Sequence, residues 1–297
     1  MQYLGEENMR VYRNAVMDNA RWAGFEPRPD DIFVCTPSKC GTTWMQTIVA
    51  SLLWPDGKFP GHIVNGICPW IEAKFMPAEA MHAMLKAQTH RRAMKSHSPA
   101  DAIPWYPQAK YITVARDGLD AFMSWCNHVQ RMKIIDMLNA QAATEGLPPM
   151  KKFDGDYHAF FKTWLEENNF FDVVGSFWAI RNEPNLLFVH YNDLKADLGG
   201  EMRRVAAFLD IQIPESQWPA VIERCTFESM RNVEPDADPM QMAFEGGVKG
   251  FIFKGTNGRW RDILTDDEVA AYRRHAAEAL PADAARWAEH GRSALEE

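Results

Sequence analysis

Short apolar runs alternate along the chain with stretches whose apolar residues recur at helical spacing. Apolar runs predict β-strands at residues 32–36, 111–115 and 186–191, and residues 92–95, Arg-Ala-Met-Lys, are a further candidate strand. The helical spacing predicts α-helices at residues 42–54, 77–88, 119–133 and 157–167. Strands that alternate with helices in this way predict an α/β fold with a central parallel sheet flanked by helices.

The C-terminal part of the chain carries one clear helix signal and one irregular stretch. Thr265 and Glu268 have the spacing of a capping box, which predicts a helix that runs to about Leu280. Residues 232–258 have the least regular pattern, and we interpret them as a long functional loop. Because no Ser/Gly-rich linker interrupts the chain, we expect a single domain over residues 1–297, with an N-terminal helical extension at residues 1–29.

The amino-acid composition excludes several classes of protein and of binding partner. The 297 residues are 46% apolar, and 32 Lys and Arg stand against 40 Asp and Glu, for a net charge of −8. This composition predicts a soluble, core-forming protein and excludes a disordered or collagen-like chain. The acidic balance argues against nucleic acid as a partner, because binding a phosphate backbone needs a broad basic surface. A local basic pocket for a small anion is still allowed.

The five cysteines are scattered, without a C-x-x-C pair or a paired-histidine spacing. This pattern disfavours a zinc site and a disulfide framework, and it favours thiols in a reducing compartment. The first residues are polar and acidic where a signal peptide needs an apolar stretch, and the longest apolar run, residues 48–54, is too short to span a bilayer. We therefore expect a cytoplasmic protein without a membrane span.

The loop between the first strand and the first helix, residues 38–44, is the most informative segment. Gly41 lets the backbone approach an anion, and the start of the helix offers unpaired N–H groups. Lys39 supplies positive charge, while Thr42 and Thr43 supply hydroxyls. The lysine precedes the glycine, so the loop does not match G-x-x-x-x-G-K-[ST], the loop of nucleoside-triphosphate enzymes. The alternative is a simple turn with a solvated lysine.

This loop, Ser38-Lys39-Cys40-Gly41-Thr42-Thr43-Trp44, resembles the PKSGTTW loop of the cytosolic sulfotransferase family. In that family the P-loop-like segment binds the phosphosulfate end of 3'-phosphoadenosine 5'-phosphosulfate (PAPS). The resemblance implies that Lys39 contacts the departing phosphate and that Trp44 packs on the adenine. Cys40 replaces the usual serine. Since it lies beside Lys39 and helix N–H groups, we expect Cys40 to form an oxidisable thiolate.

A second segment supplies a candidate base. Residues 95–99, Lys-Ser-His-Ser-Pro, resemble the family's K-T/S-H-x-P segment, in which the histidine takes the acceptor's proton. An imidazole titrates near neutral pH, as this role requires. The resemblance makes His97 the general base, and Lys95 joins Lys39 in stabilising the transferring group. His128 is its main competitor, which we interpret as helix surface or pocket wall.

Two further segments resemble the family's 3'-phosphate site. Arg116 follows a predicted strand and Ser124 lies two turns along the next helix, so a guanidinium and a hydroxyl can bind one phosphate together. The alternative is a salt bridge from Arg116 to a neighbouring aspartate, Asp117 or Asp120. Residues 253–260 resemble the family's R-K-G-x-x-G-x-W loop, with Phe253 in place of the arginine. Either Arg259 substitutes for it or the phosphate is held more weakly.

Smaller matches complete the resemblance, which spans most of the chain. Tyr191 ends a strand like the family's Y-E-D segment, and Phe227 lies in a segment similar to T-S-F-x-x-M, so both would hold the adenine. Trp70, in Pro-Trp-Ile-Glu, resembles part of a segment beside the acceptor pocket. Taken singly, each could equally be core packing. The cofactor contacts implied by the resemblance are Lys39, Cys40, Gly41, Thr42, Thr43, Trp44, Arg116, Ser124, Tyr191, Cys225, Phe227, Phe253, Lys254 and Gly255.

The resemblance implies a PAPS-dependent sulfotransferase that moves the sulfuryl group in line to the hydroxyl of a small, apolar or aromatic acceptor. The product is 3'-phosphoadenosine 5'-phosphate (PAP), residues 232–260 cover the cofactor, and no metal is required. Two alternatives stay open: a kinase-like phosphotransferase that needs a magnesium-binding carboxylate, and a non-catalytic module that binds PAP. Residues 261–270 lack the dimer pattern of animal members, so the oligomeric state stays open; the chain resembles a bacterial member of the family.

Overall fold

Four parallel strands form the central sheet, in the order β2-β1-β3-β4. The computed structural model describes residues 9–232, 238 and 240–295. The strands are β1 Ile32–Cys35, β2 Ala93–Ser96, β3 Lys110–Ala115 and β4 Leu186–His190. In the register of the sheet, Ile32 lies opposite Ala93 on one side and Lys110 on the other. Each predicted strand is confirmed to within one residue at either end.

Thirteen α-helices surround the sheet in the part of the chain that the structure describes. They are α1 Thr42–Leu53, α2 Ala78–Ala87, α3 Gly118–Arg131, α4 Ile135–Thr144, α5 Tyr157–Glu167, α6 Phe170–Ala179, α7 Tyr191–Ala196, α8 Leu198–Phe208, α9 Trp218–Arg224, α10 Phe227–Arg231, α11 Gly247–Phe251, α12 Asp266–Ala279 and α13 Ala282–His290. The four helices predicted between the strands correspond to α1, α2, α3 and α5. No helix among the described residues is both long and apolar enough to cross a membrane.

Both faces of the sheet are buried, as a parallel sheet requires. Along β1, Ile32 and Val34 contact one apolar cluster, which includes buried residues of α1, α8 and α9. Phe33 and Cys35 contact a second cluster on the opposite face, which includes Trp22 and buried residues of α2 and α6. The alternation places successive side chains on opposite faces, so helices cover the sheet on both sides and the predicted single-domain α/β fold is confirmed.

The termini and the long loop differ in how closely they follow the prediction. The capping box is confirmed: the Thr265 hydroxyl accepts from the N–H of Glu268 at 3.3 Å, and the Glu268 carboxylate accepts from the N–H of Thr265 at 2.8 Å. Among residues 9–29, the expected helical extension is reduced to one 3-10 turn, Asn19–Trp22. Within the long loop the short helix α11 forms, while residues 233–237 and 239 lie outside the described residues.

The strand order places two loops at one crevice. The chain passes from β1 outward to β2 and then crosses back over β1 to reach β3. The loops that follow β1 and β3 therefore leave the sheet in different directions from neighbouring strands, and open α/β sheets bind ligands at such a switch point. The loop with Lys39 follows β1, and Arg116 follows β3.

Candidate active site

A cavity of about 1420 Å³ opens at the carboxyl ends of the strands. A site for one small molecule measures about 300–1,000 Å³, so this volume accommodates two ligands side by side. The cavity is lined by all the predicted site residues except Cys40 and Cys225, namely Lys39, Gly41, Thr42, Thr43, Trp44, Trp70, Lys95, His97, Arg116, Ser124, Tyr191, Phe227, Phe253, Lys254 and Gly255. Residues separated by more than 200 positions in sequence thus meet at one site.

The loop after β1 has the geometry of an anion cradle. Gly41 has a φ of 102° and directly precedes α1, and a Cβ atom there would lie 3.1 Å from the ring of Tyr191. Only glycine fits this position without strain, which explains its place in the motif. No side chain caps the start of α1, so its first N–H groups are available to an anion.

Lys39 lies against an imidazole and an aromatic ring. Its Nζ is 3.1 Å from Nδ1 of His128 and 4.7 Å from the centre of the Phe251 ring. Burial in the cavity, together with repulsion from Lys95 and Arg116, lowers the pKa of Lys39 from 10.5 to about 7. Burial also lowers the pKa of Lys95, to about 8. Both lysines are therefore poised for an anionic ligand that would restore their full charge.

The expectation of a Cys40 thiolate is wrong. Cys40 is fully buried and belongs to an apolar cluster, and its thiol donates to the carbonyl of Ser38 at 3.8 Å. Burial raises the pKa of Cys40 to about 12, which outweighs the opposite effects of Arg116 and Lys39. Cys225 is also fully buried, but its carbonyl accepts from Nε1 of Trp44 at 2.7 Å, so its main chain positions a predicted adenine contact.

His97 has one ring nitrogen engaged and the other free to accept a proton. Its Nδ1 lies 2.8 Å from the carbonyl oxygen of Thr36. A carbonyl only accepts, so Nδ1 carries the proton and Nε2 carries the lone pair. Burial, followed by repulsion from Lys95 and Lys39, lowers the pKa of His97 to about 3. The imidazole is therefore neutral at pH 7. It packs against the Trp70 ring at a nearly perpendicular angle, with the ring centres 4.8 Å apart.

Glu72 is a functional candidate to which the sequence reasoning assigned no role. This fully buried carboxylate accepts from Nε1 of Trp22 at 3.0 Å and from Oγ of Ser96 at 2.6 Å. Its other oxygen accepts from Nε1 of Trp70 at 2.8 Å and from the N–H of His97 at 3.1 Å. Glu72 thus joins the cavity wall to the backbone of His97. Its signal was its position at the end of Pro-Trp-Ile-Glu, where a charged residue follows an apolar run.

Arg116 connects β3 to the loop that closes the site. Its guanidinium donates to the carbonyl of Thr256 at 3.0 Å and to Oδ1 of Asn257 at 2.7 Å, and it lies 4.2 Å over the Tyr191 ring. The alternative salt bridge to a neighbouring aspartate is absent from the described ion pairs. Asp117 instead caps α3, and Asp120 accepts from the N–H of Gly258 at 2.7 Å.

Three cations surround the ring that replaces the family's arginine. The charged groups of Arg131, Lys254 and Arg259 lie 5.0, 5.2 and 5.6 Å from the centre of the Phe253 ring. Arg259 lines the cavity, and its buried Nε has no hydrogen-bond partner among the described residues. The loop therefore retains positive charge around Phe253, and the buried Nε of Arg259 is left without a partner among the described residues.

Most of the remaining wall of the cavity is apolar and rich in methionine, although Arg13, Lys151, Glu166, Glu167 and Asp172 also line the cavity. It lies on the side of Trp70 and His128, and it is formed by Phe75, Met76, Met81, Trp125, Met132, Ile134, Met137, Met150, Phe160, Trp164, Met240, Phe244 and Phe251. Methionine side chains adapt to irregular shapes, so this wall suits an apolar ligand. The described residues contain no cluster of three or more side chains that could hold a metal ion.

Comparison with known proteins decides the family. The family model described as the sulfotransferase domain matches residues 29–282. The chain belongs to the sulfotransferase family. This match confirms the predicted enzyme class, a PAPS-dependent sulfotransferase. The resemblance seen in the sequence is therefore real over most of the chain.

Individual relatives extend this result. The sulfotransferase is 28% identical over 312 residues to a glycolipid sulfotransferase of Mycobacterium tuberculosis, covering 95% of this chain and 94% of that protein. It is 27% identical to human sulfotransferase 1C2, covering 88% and 87% of the two chains. Among solved structures, mouse sulfotransferase SULT7A1 complexed with PAP superposes with a TM-score of 0.69 at 21% identity, over 92% of this chain and 94% of that chain. This last likeness shows the shared fold.

Proposed function

We propose that this sulfotransferase moves the sulfuryl group of PAPS to the hydroxyl of a small, apolar or aromatic acceptor by in-line transfer, with His97 as the general base. PAPS supplies an activated sulfuryl group when bound. The observation that carries the proposal is the tautomer of His97. Its proton is on Nδ1, which donates a hydrogen bond to the carbonyl oxygen of Thr36. The lone pair of Nε2 is therefore available between the anion loop and the apolar wall.

The residues at the donor end fit a phosphosulfate. Gly41 opens the backbone, α1 begins with uncapped N–H groups, and Lys39 and Lys95 lie beside the cavity without a carboxylate in hydrogen-bond contact among the described residues. Sulfuryl transfer spreads negative charge over the peripheral oxygens, so fixed cations stabilise its transition state more than covalent chemistry does. Lys39 and Lys95 take this role, and Thr42 and Thr43 add hydroxyl donors.

The residues at the far end fit the 3'-phosphate and the adenine of the donor. Arg116, Ser124 and Lys254 line the cavity there, and Arg259 supplies the arginine that position 253 lacks. The adenine lies among Trp44, Tyr191 and Phe227. Trp44 and Tyr191 meet edge to face at 5.3 Å, and a Cβ atom at Gly255 would lie 2.8 Å from the Phe227 ring, so that glycine lets the loop approach the aromatic site.

Burial is the main cause of the low pKa of His97, and repulsion from Lys95 and Lys39 lowers it further. Lys39 and Lys95 repel the imidazolium, and this repulsion weakens once their charges are neutralised by the donor's phosphosulfate. The pKa of His97 then rises toward the range in which a base accepts a proton efficiently near neutral pH. Nε2 takes the proton of the acceptor hydroxyl as the oxygen attacks, and the imidazolium remains close to the negative charge on the transferring group.

The apolar, methionine-rich wall defines the acceptor's class. After the donor is placed, the space beside Trp70 and His128 is enclosed by aromatic and methionine side chains. This surface favours an acceptor whose hydroxyl is attached to a ring or an apolar body. The Mycobacterium tuberculosis relative is called a glycolipid sulfotransferase, so alcohols with long apolar chains belong in the set to be tested.

One assay separates this proposal from its alternatives. The protein is incubated with labelled PAPS and a panel of phenols, ring alcohols and long-chain alcohols, with and without EDTA, and in parallel with labelled ATP and magnesium. We expect labelled sulfate on at least one acceptor, equal with and without EDTA. Transfer from ATP alone would establish the phosphotransferase alternative, and tight PAP binding without transfer to any acceptor would establish the non-catalytic one.

A further inference from the structure

Lys39 and His128 are in hydrogen-bond contact in the wall of the cavity. Lys39 is the lysine assigned to the departing phosphate, yet its described contacts are only Nδ1 of His128 at 3.1 Å and the ring of Phe251 at 4.7 Å. Both groups belong to the acceptor wall of the cavity. Lys39 therefore points toward the place where the two substrates meet.

The His128 ring is held rigidly in this position. It stacks on Trp125, with ring centres 5.5 Å apart, and it contacts Phe244 at 4.7 Å and Phe251 at 5.5 Å. Three aromatic neighbours leave the ring little freedom to turn, so its Nδ1 stays directed at Lys39. In a search for a base, His128 competes with His97, but its environment gives it a different role.

The proton on His128 lies on the opposite nitrogen from that of His97. The cavity environment lowers the pKa of His128 well below its usual value, first through burial and then through Lys39, Lys95 and His97, so the ring is neutral. Below its pKa of about 7 Lys39 is an ammonium group, which has donors only, so Nδ1 of His128 then accepts from Lys39 and the proton is on Nε2. In His97, by contrast, Nδ1 donates to Thr36.

We propose that His128 is a positioning residue for Lys39: its Nδ1 lone pair holds the ammonium beside the anion loop in the free enzyme and releases it when the phosphosulfate binds. This inference rests on the proposed function, because the release needs an anionic donor. Lys95 on β2 and Arg116 after β3 both repel Lys39, while Cys40 is the neighbour that would attract it if ionised. Among the described residues, His128 is the hydrogen-bond acceptor that Lys39 contacts. Without it, the Lys39 side chain would either lose its proton or no longer be held in this orientation.

The first test uses the wild-type protein and its histidine tautomers. Long-range proton–nitrogen NMR spectra of the ¹⁵N-labelled free protein report which ring nitrogen carries the proton, and H97N and H128N identify the two resonances. We expect the proton on Nδ1 in His97 and on Nε2 in His128. A proton on Nδ1 of His128 would overturn the proposal, since that nitrogen could not then accept from Lys39.

The second test measures Lys39 itself, without turnover. Competitive labelling with acetic anhydride across pH 5–10, read by peptide mass spectrometry, gives the pKa of Lys39 in wild type, H128F and H128N. The Phe variant keeps the aromatic contacts but removes the acceptor, while the Asn variant restores an acceptor near Nδ1. We expect the pKa of Lys39 to fall by about one unit in H128F, the size of one charge-assisted hydrogen bond, and to recover in H128N.

Controls and contrary outcomes follow from the same data. The exposed Lys58 should label identically in all three proteins, and PAPS or PAP should protect Lys39 in wild type. An unchanged pKa of Lys39 in H128F, or an equal fall in H128N, would overturn the proposal, and H128L replaces H128F in this comparison if the latter does not fold. Absence of any sulfuryl transfer, with labelling and tautomers as expected, would count against the proposed function and leave the contact standing.

Discussion

Two imidazoles in the cavity wall, those of His97 and His128, have different hydrogen-bond partners. Nδ1 of His97 donates to the carbonyl of Thr36, whereas Nδ1 of His128 accepts from Lys39. Under the proposed function, the first arrangement leaves a lone pair for an acceptor hydroxyl, and the second directs a cation at the donor. Glu72 supports the first, because it accepts from the N–H of His97 and from Trp70.

Removing the imidazole of His97 should abolish most turnover while sparing donor binding. We expect H97A to lower kcat by about 10²- to 10⁴-fold, the usual contribution of a general base. The Kd for PAP, measured by calorimetry, should change by less than about threefold, because His97 lies on the acceptor side. H158A is the matched control, since His158 is largely exposed, pairs with Glu268 and does not line the cavity. Near-normal turnover in H97A would rule out His97 as the base.

The buried thiol of Cys40 makes a second prediction. A thiol whose pKa is raised to about 12 by burial is neither ionised nor accessible at pH 7, so it reacts slowly with peroxide. Wild type and C40S should therefore lose activity at the same rate in peroxide, measured as residual sulfuryl transfer over time. Selective protection in C40S would show that the loop opens far enough to expose the thiol.

At the scale of elements, the strands and helices that buried both faces of the sheet were predictable, because their signals are local. Apolar runs of five or six residues marked β1, β3 and β4, and the capping box marked the start of α12. The contact of Lys39 with His128 was not predictable, since the two residues are 89 positions apart. The burial of Cys40 was missed for a related reason. Motif position identifies a loop, but the direction of one side chain depends on the helices packed behind it.

The loop of residues 253–260 allows a test of whether Arg259 takes the role of the arginine that the family carries at position 253. The family's arginine is replaced by Phe253, and Arg259, which lines the cavity, has its guanidinium 5.6 Å from the centre of that ring. R259A should weaken PAP binding by about tenfold, the value of a charge-assisted hydrogen bond, but should leave AMP binding unchanged because AMP has no 3'-phosphate. Calorimetry with both nucleotides measures the two effects.

The double variant F253R/R259A decides whether the arginine has moved along the loop. It should recover most of the lost PAP affinity, because the charge returns to the position at which the family carries it. R261A is the control, since Arg261 belongs to the same segment but contacts the Trp260 ring instead of the cavity. Equal losses in R259A and R261A, or equal losses for PAP and AMP, would contradict the assignment of Arg259 to the 3'-phosphate.

At the scale of the whole molecule, an acidic protein carries a cationic cavity. The net charge is −8, yet the charged residues that line the donor end are all basic: Lys39, Lys95, Arg116, Lys195, Lys254 and Arg259. Concentrating like charges in a partly dehydrated cavity opposes folding, and an anionic ligand removes that cost. The fold is therefore expected to be less stable alone than with its donor or product.

The destabilisation of the folded state by Lys39 and Lys95 depends on pH. In the folded state the pKa of Lys39 is lowered to about 7 and that of Lys95 to about 8. In the unfolded chain both lysines have the usual pKa of 10.5. Between about pH 7 and pH 10.5 the unfolded chain binds more protons, so the stability of the free protein rises with pH in this window. Below about pH 7 both lysines are protonated in both states, and the destabilisation is greatest.

Replacing Lys39 by methionine should therefore stabilise the free protein while destroying its donor site. We expect K39M to raise Tm by about 3 °C or more at pH 6.5, and by clearly less at pH 9.5, where the wild-type lysine is already neutral in the folded state. K58M, at a lysine whose side chain is 87% exposed, should shift Tm at neither pH. With saturating PAP at pH 6.5 the order should reverse, because the anion stabilises the wild-type ammonium that K39M lacks. If K39M raises Tm equally at both pH values, the effect comes from apolar packing of the methionine. That result would contradict an electrostatic destabilisation of the fold by the Lys39 ammonium.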